Sequence, residues 1–199
     1  MIFYYLLYFF LSFKSIEEVQ AINTFKKGIQ NILIIFFSLI IGLRQEVGCD
    51  WDQYKAIFES YRDGLYNYAL WIRLEPSYYI LNSIFSRWEF GYYFINLVCA
   101  IIFSYCLIKY CENLPRPWLA LCIAYPYFIM VVSMGYTRQS VSIGLALLGF
   151  LALEKGQFYK SIFYIFLGTT FHRSGVLFFY APLIYTFQGS RFNNLIKFI

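Results

Sequence analysis

The side chains able to do chemistry gather at three places in the chain. Gly42 to Tyr54 reads GLRQEVGCDWDQY, where an apolar run stops and an arginine, carboxylates, glycines and aromatics crowd together. Arg138 and the His172-Arg173 pair each close a further apolar run. A guanidinium fork suits bidentate contact with phosphate, which makes Arg44, Arg138 and Arg173 candidate phosphate ligands. His172, the only histidine, is the candidate general base for drawing a proton from a hydroxyl, although a lone histidine is more often a hydrogen-bonded structural residue. Asp50 and Asp52 flank Trp51 and are rival bases. Two carboxylates without further ligands favour solvation or substrate hydrogen bonding over a metal site. The Trp51 and Tyr54 rings could stack on a sugar, or anchor the chain at a lipid interface. Gly48 permits the tight turn that brings Asp50 back toward that interface.

The elements that hold these residues are greasy. The chain is 60% hydrophobic, 24% aromatic and 14% charged, against the roughly 25% charged residues of a soluble domain, so it reads as a membrane protein. Long unbroken apolar runs exclude the alternation of a lipid-facing barrel. The expected fold is all-α, a single polytopic transmembrane domain over 1–199. Helices are expected near 1–13, 28–43, 90–109, 117–137, 138–154, 157–172 and 174–189, with one outer loop over 44–89 carrying short interfacial helices. Within that loop Glu75-Pro76 marks the start of a short interfacial helix, and Pro126 is expected to kink its span. No basic residue precedes Ile2–Leu11, so the start is expected to be a retained helix and not a cleaved signal. The five cysteines are odd in number and lack CxxC spacing, which points to structural thiols.

Charge gives an orientation. Alternating the gaps between runs puts nine basic residues, among them Lys14, Lys109, Arg116, Lys155 and Lys160, against four acidic ones on one side, a net of +5. The other side carries seven of each and is neutral. The positive side is expected to face the cytoplasm, so the Gly42 loop faces outward. A net charge of +5 without a basic patch does not indicate nucleic acid. Three spans are short on the same side: Ile29–Leu43, Gln139–Leu153 and Gln157–Phe171 each cover only about 22 Å of a hydrocarbon core of about 30 Å. Each ends outward at a cation, which places Arg44, Arg138 and His172-Arg173 at a common depth. Snorkelling is the alternative for any one of them. Together they suggest a shared polar cavity.

Taken in order, GLRxxVGxDWxxY, EPSYYILN, GYTRQSVSIGLALLGF and FHRSGVLFF resemble the EpsG family of Wzy-like exopolysaccharide and O-antigen polymerases. The resemblance implies a multi-spanning protein of the bacterial inner membrane that joins undecaprenyl-pyrophosphate-linked repeat units at the outer face. Residue by residue it points to Arg44, Gly48, Asp50, Tyr54, Arg138, Gln139 and His172. Cys49 departs from the small hydroxyl residue that the family carries before the aspartate. The resemblance also implies a longer chain, of which 1–199 is the N-terminal part.

The expected site therefore has His172, Asp50 and Arg138 in catalysis, and Arg44, Arg173, Gln139, Trp51, Tyr54 and Gly48 in substrate binding. Guanidinium groups would neutralise the pyrophosphate, so no cofactor or metal is called for. The expected partners are the lipid-linked oligosaccharide, the bilayer and other polysaccharide export proteins. A membrane acyltransferase or ligase modifying surface glycans, a lipid-linked glycan flippase and an inactive fragment are the alternative readings.

Overall fold

The computed structural model describes residues 2–20, 27–64 and 75–188. Its elements are α1 (Ile2–Gln20), α2 (Lys27–Gly42), α3 (Trp51–Arg62), α4 (Pro76–Phe85), α5 (Gly91–Glu112), α6 (Pro117–Ala124) running on as a π-helix (Tyr125–Ser133), α7 (Thr137–Glu154), α8 (Phe158–Phe171), a 3-10 turn (Arg173–Phe179) and α9 (Tyr180–Gln188). The all-α expectation holds, with no strand among the described residues.

The centre of the bundle is α5, whose Phe103, Leu107 and Ile108 pack with Phe37 and Ile41 of α2 and Leu121 of α6. A second, more aromatic cluster surrounds the start of α5, where Trp51, Tyr54 and Phe58 of α3 and Tyr78 of α4 meet Tyr92, Ile95 and Val141. Small residues set the helix spacing elsewhere. A Cβ on Gly149 would meet the Ile165 side chain at 2.8 Å and one on Gly168 would meet the Ser142 carbonyl at 3.0 Å, so α7 and α8 pack backbone to backbone. Close approach of this kind matters most in lipid, where burial of apolar surface offers little drive for helix association.

Polar contacts join residues at the two ends of the bundle, and they respect the sides assigned by charge. At one end the Glu18 carboxylate accepts from the Trp118 and Leu119 N–H groups at 3.1 and 3.2 Å, and Lys155 donates to Asn113 at 2.7 Å. At the other, Arg44 reaches Thr137 at 2.6 Å and Ser77 meets Thr170 at 2.7 Å.

Four boundaries differ from expectation. The first helix runs on to Gln20, because Lys14 and Glu17 pair along it at 2.6 Å and Glu18 finds the orphan N–H groups of α6. The span expected over 117–137 changes to π geometry at Tyr125, next to Pro126, whose missing N–H disturbs the α ladder. The outer stretch holds a second helix, α3, whose charged residues conceal Trp51, Tyr54 and Phe58 at helical spacing. The last expected helix starts as a 3-10 turn, where Gly175 lies so close to Ser142 and Thr169 that a Cβ would clash.

Among the described residues α5 is long and apolar enough to cross a membrane by itself, and Gly28–Gly42 and Pro117–Ser133 are apolar but shorter. The outer faces are apolar too. Leu6, Phe9, Ile32, Ile123, Phe163 and Leu177 are all more than half exposed, more greasy surface than water tolerates on a monomer. The composition, α5 and this surface together make the chain a membrane protein.

Candidate functional site

The site is built around Glu75. Proline at the first position of α4 leaves Glu75 outside the helix as its N-cap, in extended geometry, with its side chain 5% exposed. Its two oxygens divide the labour. Oε2 accepts from Arg138 Nη1 at 2.7 Å, while Oε1 lies 3.1 Å from His172 Nδ1 and accepts from the Arg173 N–H at 3.3 Å. One carboxylate thus links the starts of α4 and α7 to the break after α8.

That break is why His172 can reach in. The helix stops at Phe171, and His172 takes an extended conformation before the 3-10 turn, so its ring projects sideways from the bundle end. Arg138, in the first turn of α7, lies against aromatic faces, its guanidinium carbon 5.2 Å from the Tyr54 ring centre and 5.5 Å from that of Tyr78. Such cation–π contacts hold the fork in place without consuming its donors. The Tyr54 hydroxyl also stands 3.5 Å from Arg138 N and Nε, at the outer limit of a hydrogen bond. Burial pushes the Tyr54 phenol up, with Arg138 opposing, so it remains a neutral hydroxyl.

Burial by itself would raise the Glu75 carboxyl. Burial is the largest single influence, but the hydrogen bond from His172, Glu75's own N–H, the Arg138 guanidinium and the Arg173 N–H together outweigh it, and the group falls to about 2. Glu75 is therefore a carboxylate at neutral pH and can only accept. It follows that the His172 Nδ1 carries hydrogen, and in the Nδ1–H tautomer Nε2 is a lone-pair acceptor. Carboxylate, imidazole and a free ring nitrogen form the arrangement of a general base with its orienting acid.

The structure brings Arg138, His172 and Arg173 together and corrects the roles expected of three others. Arg44 is 6% exposed, and its donors go to the Ile41 and Val47 carbonyls and to Thr137 Oγ1 at 2.7, 3.2 and 2.6 Å. Committed in this way, it closes α2 onto the first residue of α7 and does not open toward a phosphate. The sugar-stacking expectation for Trp51 and Tyr54 fails on burial: they are 7% and 2% exposed, with the Trp51 ring edge-on to Tyr92 at 4.9 Å. Gly48 keeps its expected role in the turn, at φ +115°, with the Met134 carbonyl where a Cβ would stand. Asp50 caps the start of α3 in position but makes no side-chain capping bond, and is partly exposed. Gln139 follows Arg138 in α7 and is also partly exposed.

The EpsG family model matches residues 29–199, and so spans α2, the Glu75 cluster and everything after it. The chain belongs to the EpsG family. This membership fits a membrane-associated, polymerase-type role in polysaccharide biosynthesis. No curated protein and no solved structure matches the chain.

Sequence reasoning missed Glu75 as a site residue, reading it only as a helix start. The signal was present: a carboxylate immediately before a proline is left off the helix, free to turn toward cations from elsewhere. Tyr78, one turn into α4 and fully buried beneath Arg138, was missed as well.

Proposed function

We propose that this EpsG-family chain is a polytopic inner-membrane glycosyltransferase that joins undecaprenyl-pyrophosphate-linked oligosaccharide repeat units at the outer face. The observation that carries the reading is the junction of Arg138 and His172 on one buried carboxylate. In the reaction, the acceptor hydroxyl attacks the anomeric carbon of the donor sugar. His172 Nε2 takes the hydroxyl proton, a glycosidic bond forms, and the bond from sugar to pyrophosphate breaks. Arg138, with Arg173 beside it, stabilises the negative charge that collects on the leaving lipid pyrophosphate. Among the described residues Arg138 Nη2 has no hydrogen-bond partner, which leaves that edge of the fork for a phosphate oxygen. Asp50 is the alternative base.

The polytopic arrangement is supported by the apolar outer faces and by the segregation of charge between the two bundle ends. The short α8, about 21 Å at 1.5 Å per residue, supports a site sunk below the outer edge of the hydrocarbon.

Chain polymerisation in a complementation assay tests the assignment. Arg138→Lys keeps the charge but loses the fork and the aromatic seat, and is expected to lower polymer formation about 10²-fold. His172→Ala is expected to lower it at least as far. Polymerisation that survives both substitutions rejects the mechanism.

A further inference from the structure

One turn beyond Glu75, α4 turns a different set of residues outward. Tyr79 and Ser83 of α4, Tyr61 and Arg62 at the end of α3, and Trp88 and Glu89 of the following turn enclose an open hollow of about 630 Å³. Arg62 and Glu89 also line a second hollow of about 170 Å³ reaching past Lys55 and Glu59 toward the Gly42 loop. None of the groups assigned to catalysis lines either space.

The lining is chemically specific. Trp88 is braced edge-on by Phe85 at 5.3 Å and 90° and by Phe94 at 5.4 Å and 86°, yet 52% of it is exposed. The Tyr61 and Tyr79 rings meet edge to face at 5.5 Å. Rigid, partly open rings of this kind can lie against the C–H faces of a pyranose. Around them Arg62, Arg87, Glu89 and the Ser83 hydroxyl supply donors and acceptors of both signs, suited to hydroxyl groups. Arg62 and Arg87 stand against Glu89, and Arg62 is already paired with Asp63 at 3.4 Å, which leaves little positive charge for a diphosphate; the polar lining does not suit an acyl chain.

We infer that this groove is a saccharide-binding site that holds the glycan chain away from the reacting bond, with Trp88 and Tyr79 as its stacking platform. The inference rests on the polymerase reading and adds where the sugar lies. Helix α4 sets the geometry: Glu75 stands at its start, and Ser83 lies about 12 Å further along at 1.5 Å per residue. A chain seated on Trp88 can therefore extend along α4 to present its terminal sugar at the Glu75 cluster.

The test uses the full chain in detergent micelles, with the repeat-unit oligosaccharide released by mild acid from the host's lipid-linked pool as probe, free of lipid and phosphate. Calorimetric titration is expected to show binding that weakens about fivefold to tenfold in Trp88→Ala. Ser83→Phe, a substitution at an exposed helix position that fills the hollow, is expected to weaken it similarly. In cells both variants are expected to make shortened polymer, whereas His172→Ala makes none yet still binds the probe. Unaltered binding and unaltered polymer length in both groove variants would overturn the proposal and leave Trp88 an interfacial anchor. Polymerisation surviving in His172→Ala would count against the catalytic reading alone.

Discussion

Glu75 is one acidic residue serving a guanidinium, an imidazole and a backbone amide, so a substitution there has several consequences at once. Glu75→Gln keeps the shape but offers a single acceptor oxygen and turns an amide donor toward Arg138 or His172. The loss of charge-assisted hydrogen bonds is expected to cost about 1.5–3 kcal/mol of stability, read as a lowered unfolding midpoint in micelles. Glycan polymerisation is expected to fall at least about tenfold, because His172 loses the group that fixes its tautomer. The linkage sign is clear. A folded-state carboxyl held at about 2, below its ordinary value of 4.5, contributes stability that is full above pH 4.5 and lost as pH falls toward 2. The contribution is about 3 kcal/mol at most. Denaturation midpoints between those pH values are expected to drop in the wild type and to flatten in Glu75→Gln. The arginines and the histidine were legible in the sequence because each closes an apolar run. Glu75 was not, since a carboxylate in a polar loop looks solvated until folding buries it.

At the scale of elements, what matters is how helix ends are brought to one level. Gly48 carries the turn after α2 past the carbonyl of Met134, the residue that follows the π-helix, and Arg44 then fastens that turn to Thr137. Gly48→Ala would place a methyl on the Met134 carbonyl and force φ +115° on a residue that resists it. It is expected to destabilise the protein by about 2 kcal/mol or more and to lower polymer yield without altering the chemistry of the site, seen as a reduced midpoint alongside reduced activity. Pattern reading placed most spans to within a few residues, because unbroken apolar runs are hard to mistake in a membrane chain. It expected short helices in the outer loop without placing α3, where Asp52, Lys55, Glu59 and Arg62 decorate the outer face of a helix whose inner face is Trp51, Tyr54 and Phe58. It also read Arg44 as a ligand, because guanidinium chemistry is visible in a sequence while the carbonyls that occupy it are not.

For the whole molecule, sidedness is the property most open to direct test. Cys49 is exposed in the Gly42 loop, while Cys99, Cys106, Cys111 and Cys122 are buried. A membrane-impermeant maleimide added to spheroplasts is expected to label the wild type at this one position and to leave Cys49→Ser unlabelled. Labelling only after lysis would place the Glu75 cluster on the cytoplasmic side and reverse the orientation. Net charge distribution along the sequence anticipated how the two bundle ends would sort, since loops that share a side must fold next to one another. One consequence follows from the carboxylate of α1 that receives two amides of α6. The family match begins at residue 29, downstream of this helix, yet the π and α structure from Pro117 to Arg138 hangs from Glu18. Expression of a chain trimmed at the family boundary would strip a lid from dipoles that no lipid can solvate, and the damage would surface far away, in a slackened Glu75 cluster.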